Sequence, residues 1–247
     1  MKVYHPINTL KPVVDRLWII DGPVIRMAFL WGSLPFSTRA VVVQLPSGGL
    51  WVHSPTPMLP EPLKRAIDAL GPLEHLVSPN ALHYAGIPVW KEAWPDALAW
   101  SSPGVERRAR SQGVEVSFDR TLQDEPPTEW SGTIDQLMFR GSRVLEEVVF
   151  FHRPSRTLLL TDLIVNFERD KVEGRWLWKL LRLAGVTDPD GTTPLELRTT
   201  VLGRRSMARA CFERMRAWNP ERVILAHGRW YAERGTEELD RAFRWLR

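Results

Sequence analysis

The segment EHLVSPNALHYAG, residues 74–86, passes from a strand pattern through a break to a helix pattern. Residues 74–77 read as a short apolar strand, Ser78-Pro79-Asn80 breaks it, and helical sequence follows at residues 81–94. Strands that alternate with helices in this way are typical of proteins whose helices cover a sheet. The segment therefore predicts an α/β protein.

Upstream, the chain is rich in strands. Apolar runs separated by turn residues lie at residues 17–20, 24–27 and 40–45. Asp21-Gly22, between the first two runs, predicts a hairpin turn. A strand at residues 50–52 ends at His53, and the proline-rich residues 54–57 lead into a helix from about residue 60 to 70. We expect an antiparallel meander followed by a first strand, loop and helix unit.

The second half repeats this order of strands before helices. Predicted strands lie at residues 133–139, 147–151, 157–161 and 222–226. Predicted helices lie at residues 175–184, 204–217 and 237–246. Met207, Cys211, Met215 and Trp218 share one face of the middle helix and are predicted to be core. Two such halves predict two sheets packed face to face with helices outside, in a single domain spanning residues 1–247.

Composition narrows the class of protein further. With 44% hydrophobic and 25% charged residues the chain is typical of a globular protein. No segment approaches the ~18 uninterrupted apolar residues of a membrane span, so we predict no integral membrane segment. Residues 1–11 lack the apolar core of a secretory signal, and we therefore expect a cytoplasmic protein.

Cysteine and charge content restrict the chemistry. Cys211 is the only cysteine, which excludes an internal disulfide and a zinc site built from several thiolates. A metal would need histidine and carboxylate ligands. The net charge is +4, and 27 of the 33 basic residues are arginine. These arginines are mixed with acidic residues, and the aromatic-plus-basic signatures of RNA-binding modules are missing, so we do not predict nucleic-acid binding.

Polar residues that can bind metals follow several predicted strands. His53, Asp162 and His227 each come directly after an apolar strand, and His83 lies five residues after Ser78 ends another. Strand ends are where α/β folds gather their functional groups, so we expect these side chains to converge on one pocket. Imidazole and carboxylate suit zinc, and two histidines with one carboxylate also suit ferrous iron.

The order of these motifs resembles the metallo-β-lactamase superfamily. The resemblance rests on EHLVSPNALHYAG at residues 74–86, LLLTDL at 158–163 and VILAHG at 223–228. The phrases LWVHSPTP at 50–57, FFHRPSRT at 150–157 and AHGRW at 226–230 are similar to a branch of the superfamily catalogued as a domain of unknown function. The resemblance covers nearly the whole chain and implies a four-layer αββα sandwich.

The resemblance also implies a degenerate metal motif. The superfamily's first motif is His-x-His-x-Asp-His, and placing its last histidine on His83 puts Ser78, Asn80 and Leu82 at the other ligand positions. Serine and asparagine are poor zinc ligands and leucine cannot be one. A further histidine expected between residues 139 and 148 is missing, and that stretch offers only Ser142, Glu146 and Glu147 as side-chain oxygens.

Most ligands of the second metal position survive. Asp162 matches the superfamily's bridging aspartate and His227 its last histidine, so the resemblance implies one divalent metal, zinc or iron, held by His83, Asp162 and His227. His53 stands where the superfamily has a supporting aspartate, and it serves in this hypothesis as a further ligand or a general base. His53 and Asp162 are accordingly the candidate catalytic residues, with metal-bound water as nucleophile. The alternative is that the strand-end groups only satisfy backbone amides without a metal.

Other residues are candidates for binding an anionic small-molecule substrate. They are Asn80, Tyr84, Arg26, Arg39 and Arg229, with Trp31 and Trp230 near loops that could shape a pocket. Glu146 and Glu147 are neighbours on a strand and point to opposite faces, so at most one enters the site. His152, on a turn between strands, is interpreted as structural and paired with a backbone carbonyl, and His5 and His75 carry no signal.

The segment 175–184, RWLWKLLRLA, has more tryptophan and leucine than one buried stripe requires. It could cap the pocket, form a homodimer contact or lie in a membrane interface, and the first two are favoured. Three functions therefore remain open: a single-metal hydrolase of a small ester, thioester, lactone or phosphate-containing substrate, a ligand-binding or regulatory protein without metal, and a peripheral membrane or partner-binding protein. Fold alone does not choose among them.

Overall fold

A computed structural model of the chain describes residues 1–29 and 32–247. In this part of the chain there are two β-sheets and seven α-helices, divided between two compact units, Met1–Leu122 and Gln123–Arg247. Each unit contains one sheet, as predicted from the two strand-then-helix halves. That both units form a single domain stays a prediction. Trp31, a candidate pocket residue, lies outside the described residues.

The first unit holds a seven-stranded sheet whose strands follow one another in chain order. The strands are β1 (Lys11–Val14), β2 (Leu17–Phe29), β3 (Gly32–Gln44), β4 (Leu50–His53), β5 (Leu73–Ser78), β6 (Leu98–Ser101) and β7 (Arg120–Thr121). The helices are α1 (Glu61–Asp68), α2 (Ile87–Ala93) and α3 (Val105–Ser111). β1 to β4 pair antiparallel, as the predicted meander requires, and β4 to β7 pair parallel. The carboxyl ends of β4, β5 and β6 therefore share one edge of the sheet.

The predicted hairpin turn at Asp21-Gly22 is wrong. β2 continues through both residues, and its pairing with β3 passes from Asp21 opposite Arg39 to Val24 opposite Ser37. One extra residue on β2 makes this a β-bulge, which bends a strand without ending it. A Cβ at Gly22 would lie 2.5 Å from the Thr38 hydroxyl oxygen, so the glycine provides room for a close approach rather than a turn.

The second unit holds a four-stranded sheet in the order β11-β10-β9-β8. Its strands are β8 (Ile134–Phe139), β9 (Glu147–His152), β10 (Thr157–Leu160) and β11 (Arg222–Leu225). Its helices are α4 (Arg175–Leu183), α5 (Leu195–Thr200), α6 (Arg205–Ala217) and α7 (Gly235–Ala242). Every predicted element is present, α7 stops short of the predicted residue 246, and α5 was not predicted. β10 and β11 are parallel neighbours, whereas the other pairs are antiparallel.

Helices cover an apolar face in each unit. In the first unit Leu63 and Ile67 of α1 and Trp90 of α2 pack with strand residues such as Val52 and Leu76. In the second unit α6 and α7 pack on the sheet through a cluster that includes Ala208, Cys211, Phe212, Met215, Leu239 and Phe243. The predicted core stripe of α6 is wrong at Met207, which is 45% exposed, because the buried face is set by Ala208 and Phe212 instead.

No helix in the described ranges combines the length and apolarity needed to cross a bilayer.

Candidate functional site

In the first unit, His53 ends β4 and is buried. Its ring stacks on that of Trp51, with ring centroids 5.9 Å apart. Burial, and secondarily the charge of His83, lowers the pKa of His53 to about 3. His53 is therefore a neutral imidazole at neutral pH, the form that binds metals or accepts a hydrogen bond.

The residue after His53 fixes the orientation of His83. The Ser54 hydroxyl oxygen lies 2.7 Å from Nδ1 of His83. Ser54 adopts a left-handed conformation with φ of 52°, and its N–H donates to the carbonyl of Val77 on β5 at 2.8 Å. Because Nδ1 is taken by Ser54, the nitrogen with which His83 can bind a cation is Nε2. Sequence reasoning missed Ser54, which resembled an ordinary strand breaker.

Asn80 shapes the segment that carries His83. Its side-chain oxygen accepts the N–H of Leu82 at 2.8 Å, and its carbonyl accepts the Ser78 hydroxyl and the His83 N–H, both at 3.3 Å. These bonds make residues 81–86 a turn, so α2 begins at Ile87 and the predicted helix start at residue 81 is wrong. Tyr84 lies in this turn, half-buried. Substrate binding by Asn80 and Tyr84 stays a prediction.

The turn is locked onto the loop that follows β4. The indole N–H of Trp90 donates to the carbonyl of Thr56 at 2.9 Å. A Cβ at Gly86 would lie 2.0 Å from the carbonyl oxygen of Pro55, so the two segments approach more closely than any other residue would allow. These two contacts join the loop after Ser54 to the segment after His83, and so keep the two residues close together.

In the second unit the structure brings Asp162 and His227 together. Leu160 and Leu225 are paired at the ends of the parallel strands β10 and β11, and the two polar residues each lie two positions further on. The Asp162 Oδ1 atom is 3.4 Å from Nε2 of His227, and both side chains are buried. A carboxylate oxygen and an imidazole nitrogen therefore lie next to each other just beyond the carboxyl ends of β10 and β11.

Glu147 supports Asp162 from the neighbouring strand. Its carboxylate accepts the N–H of Thr161 at 2.7 Å and the N–H of Asp162 at 2.8 Å. Burial, and then the charge of Asp162, raises the pKa of Glu147. Glu146 is exposed and Glu147 is buried, which agrees with the prediction that at most one of the two enters the site. The sequence alone could not say which, because that depends on the register of β9.

Asn166 organises the backbone around His227. Its N–H donates to the His227 carbonyl at 3.3 Å, and its side-chain amide donates to Asp188 and to the Arg229 carbonyl. Its amide oxygen accepts the Gly191 N–H at 3.2 Å. Asn166 therefore ties the loop at residues 188–191 to the chain that follows β11. Sequence reasoning missed this residue, whose partners are 22 to 63 positions away.

Comparison with known families gives one match. The sequence profile of a family described as "Domain of unknown function (DUF4336)" matches residues 30–180. The chain belongs to the DUF4336 family. No curated protein sequence matches it.

Solved structures similar to this DUF4336 chain include several metallo-β-lactamases. The enzyme DIM-1, exposed to ceftazidime, shares 14% identity with a TM-score of 0.65, over 100% of this chain and 99% of that one. TMB-1 shares 12% identity with a TM-score of 0.64, over 100% of both chains. FIM-1 from Pseudomonas aeruginosa, in its mono-zinc form, shares 12% with a TM-score of 0.63, over 100% of this chain and 95% of that one. The predicted metallo-β-lactamase-like α/β fold is confirmed.

Two of the three candidate anion-binding arginines of the DUF4336 chain, Arg39 and Arg229, contact a carboxylate. Arg39 is buried, with its guanidinium 2.7 and 2.8 Å from Asp21 Oδ1 and stacked over the ring of Tyr4. Arg229 is exposed and lies 3.5 Å from Asp188. Arg26 is exposed and donates to Ser33. Substrate binding by Arg39 and Arg229 stays a prediction.

His152, His75 and Trp230 make local or packing contacts in the structure. His152 has a structural contact, but its Nδ1 lies 2.7 Å from the Ser155 hydroxyl rather than from a carbonyl. Burial lowers the pKa of His152 to about 4. His75 is buried against Trp100, whose indole nitrogen is 3.3 Å from His75 Nδ1. Trp230 packs against the core of the second unit.

Proposed function

We propose that the protein is a hydrolase with a single metal, in which His83, Asp162 and His227 together hold one divalent ion, zinc or iron. The proposed substrate is a small anionic ester, thioester or lactone. The observation that carries this proposal is the convergence of Asp162 Oδ1 and His227 Nε2 at 3.4 Å on a buried strand edge. The likeness to metallo-β-lactamases supports it at the level of the fold.

The separation of the two atoms suits a pair of ligands. Tetrahedral zinc with bonds of about 2.0–2.1 Å places neighbouring ligand atoms roughly 3.3 Å apart. A hydrogen bond between carboxylate and imidazole is shorter, near 2.7–2.9 Å. Asp162 and His227 therefore fit two corners of a metal site better than a hydrogen-bonded pair.

His83 has the support that a metal ligand requires. Ligating histidines usually bond their second ring nitrogen to a neighbour, which sets the tautomer and the ring orientation. The Ser54 hydroxyl occupies that role at Nδ1. We propose that His83 contributes Nε2 and that His53 or water completes the ligand shell.

Two of the positions lost from the superfamily motif have an internal role here. The Ser78 hydroxyl and the Asn80 side-chain oxygen are both used by the turn that leads to α2. Neither is directed to a cation by these bonds. This supports one metal rather than two.

When bound, the ion would supply Lewis acidity toward water and toward the carbonyl oxygen of a substrate. The chain's own groups have simpler tasks. Glu147 holds the Asp162 backbone through two N–H groups, so the Asp162 carboxylate keeps one position. His53 is buried and its pKa is lowered to about 3, so at neutral pH it would offer a neutral ring nitrogen as a ligand or a hydrogen-bond acceptor.

A second candidate is a ligand-binding or regulatory protein without metal. The turn before α2 favours it, because the Ser78 hydroxyl and the Asn80 side-chain oxygen form hydrogen bonds with backbone groups. Under this alternative the Asp162 and His227 side chains would interact directly, with no ion between them. The two candidates differ in metal content.

Elemental analysis tests the proposal on protein purified after growth with added zinc, iron and manganese. We expect about one equivalent of one of these metals, and its loss in Asp162→Asn and in His227→Gln. His152→Gln is the matched control, because it removes a buried histidine of the same unit that bonds only within its own turn region. Substoichiometric content of all three metals in the unmodified protein would refute the proposal. Hydrolysis of a panel of esters, thioesters and lactones would then identify the reaction.

A further inference from the structure

Helix α4 exposes an apolar stripe to solvent. Trp176, Leu180 and Leu183, spaced for one face of a helix, are 78%, 61% and 80% exposed. Within α4 only Leu181 is buried. A contiguous exposed stripe of this kind marks an interaction surface rather than a core.

Positive charge lies along one side of this stripe. At 3.6 residues per turn, Lys179, Arg175 and Arg182 lie about 60° to 120° to the same side of Trp176. Lys179 Nζ sits 4.9 Å from the centre of the Trp176 ring. The helix contains no acidic residue, and Glu173 precedes it before Gly174. The surface therefore combines an apolar stripe with a cationic border.

The apolar stripe and its cationic border indicate what kind of partner binds this surface. A second copy of α4 would bring three more cations and no carboxylate to the contact. A bilayer that contains anionic lipid satisfies both parts, since tryptophan and leucine enter the interfacial region while lysine and arginine reach the headgroups. We propose that α4 docks the protein on the surface of an anionic lipid bilayer, with the helix lying in the interface.

Vesicle flotation tests this proposal with the full-length protein. The probes are vesicles of phosphatidylcholine alone and of phosphatidylcholine mixed with phosphatidylglycerol. We expect flotation with the mixed vesicles only, weakened by added salt because exposed charges are screened. The triple variant Trp176→Ser, Leu180→Ser, Leu183→Ser should lose flotation by roughly tenfold or more. Lys179→Gln with Arg182→Gln should lose the preference for phosphatidylglycerol.

Leu202→Ser and Met207→Ser are the matched controls, because both residues are exposed apolar side chains outside α4. They should float as the unmodified protein does. The stripe is exposed, so the triple variant should keep its circular dichroism and urea midpoint. Equal flotation of the triple variant, binding to phosphatidylcholine alone, or a dimer that the triple variant abolishes without any flotation would each overturn the proposal.

Discussion

The Glu147 carboxylate reaches across from β9 to accept the backbone N–H of Asp162 at 2.8 Å and that of Thr161 at 2.7 Å. Both oxygens of a buried acid are thus used to hold the end of β10. The position of the Asp162 side chain depends on this contact, because the carboxylate fixes the peptide groups from which that side chain extends.

Replacing Glu147 by glutamine should disturb the end of β10. The amide keeps one acceptor but places an NH2 group against a backbone N–H, and an unsatisfied buried donor costs about 1–3 kcal/mol of unfolding free energy. If Asp162 binds metal, zinc affinity should also fall about 10- to 100-fold. Urea unfolding and chelator competition measure the two effects. Glu146→Gln, on the exposed neighbour, should change stability by less than about 0.5 kcal/mol, and equal effects of both substitutions would contradict this role.

Removing the Ser54 hydroxyl should loosen His83. Ser54→Gly keeps the left-handed backbone and deletes the group bonded to Nδ1, so we expect about 10- to 100-fold weaker zinc binding. Ser54→Ala should give the same loss of affinity, which separates the hydroxyl from the backbone conformation. Titration against a fluorescent zinc chelator is the measurement. Ser131→Ala, at an exposed serine, serves as control, and unchanged affinity in both Ser54 variants would show that the contact does not matter.

Stability should depend on pH through His152. Its folded pKa of about 4 lies below the ordinary value of 6.5, so the unfolded chain binds a proton first as pH falls. The contribution of neutral His152 to the free energy of unfolding is intact above pH 6.5 and is lost between pH 6.5 and 4, amounting to on the order of 3 kcal/mol. Urea midpoints across this range should fall less steeply in His152→Gln. Parallel pH profiles for the two proteins would exclude His152 as the cause.

Gly228 should tolerate no side chain. Its φ is +86°, and a Cβ would lie 2.1 Å from the Asn166 carbonyl oxygen. Gly228→Ala should therefore lower the free energy of unfolding by about 3–4 kcal/mol, because the backbone strain and the clash with a carbonyl oxygen add to each other. Thermal unfolding gives the comparison with Gly132→Ala, where φ is +83° but no atom lies within 4 Å. A similar melting temperature for both variants would show that the left-handed conformation, and not the close approach, sets the cost.

Periodicity and turn chemistry were enough to predict most elements of the fold. The proximity of Asp162 and His227 could be expected, because both follow apolar strands and such strand ends gather polar groups. Asp21-Gly22 was misread because a glycine in a bulge and a glycine in a hairpin have the same local sequence. Only the pairing register, with Asp21 opposite Arg39, separates the two.

The supporting residues were beyond sequence reasoning for a different reason. Glu147 bonds to backbone 14 and 15 positions away, and Asn166 to partners up to 63 positions away. Such bonds depend on the tertiary fold and leave no local pattern. Ser54 was hidden because its role comes from a left-handed backbone and from a histidine 29 positions distant.

The bond from the Leu82 N–H to the Asn80 side-chain oxygen, at 2.8 Å, restricts how position 80 can be redesigned. A histidine at this position would remove that acceptor, and a backbone donor left without its partner costs stability. Anyone engineering a new side-chain function into the Ser78-Pro79-Asn80 turn would therefore have to supply another acceptor for Leu82 in the same step.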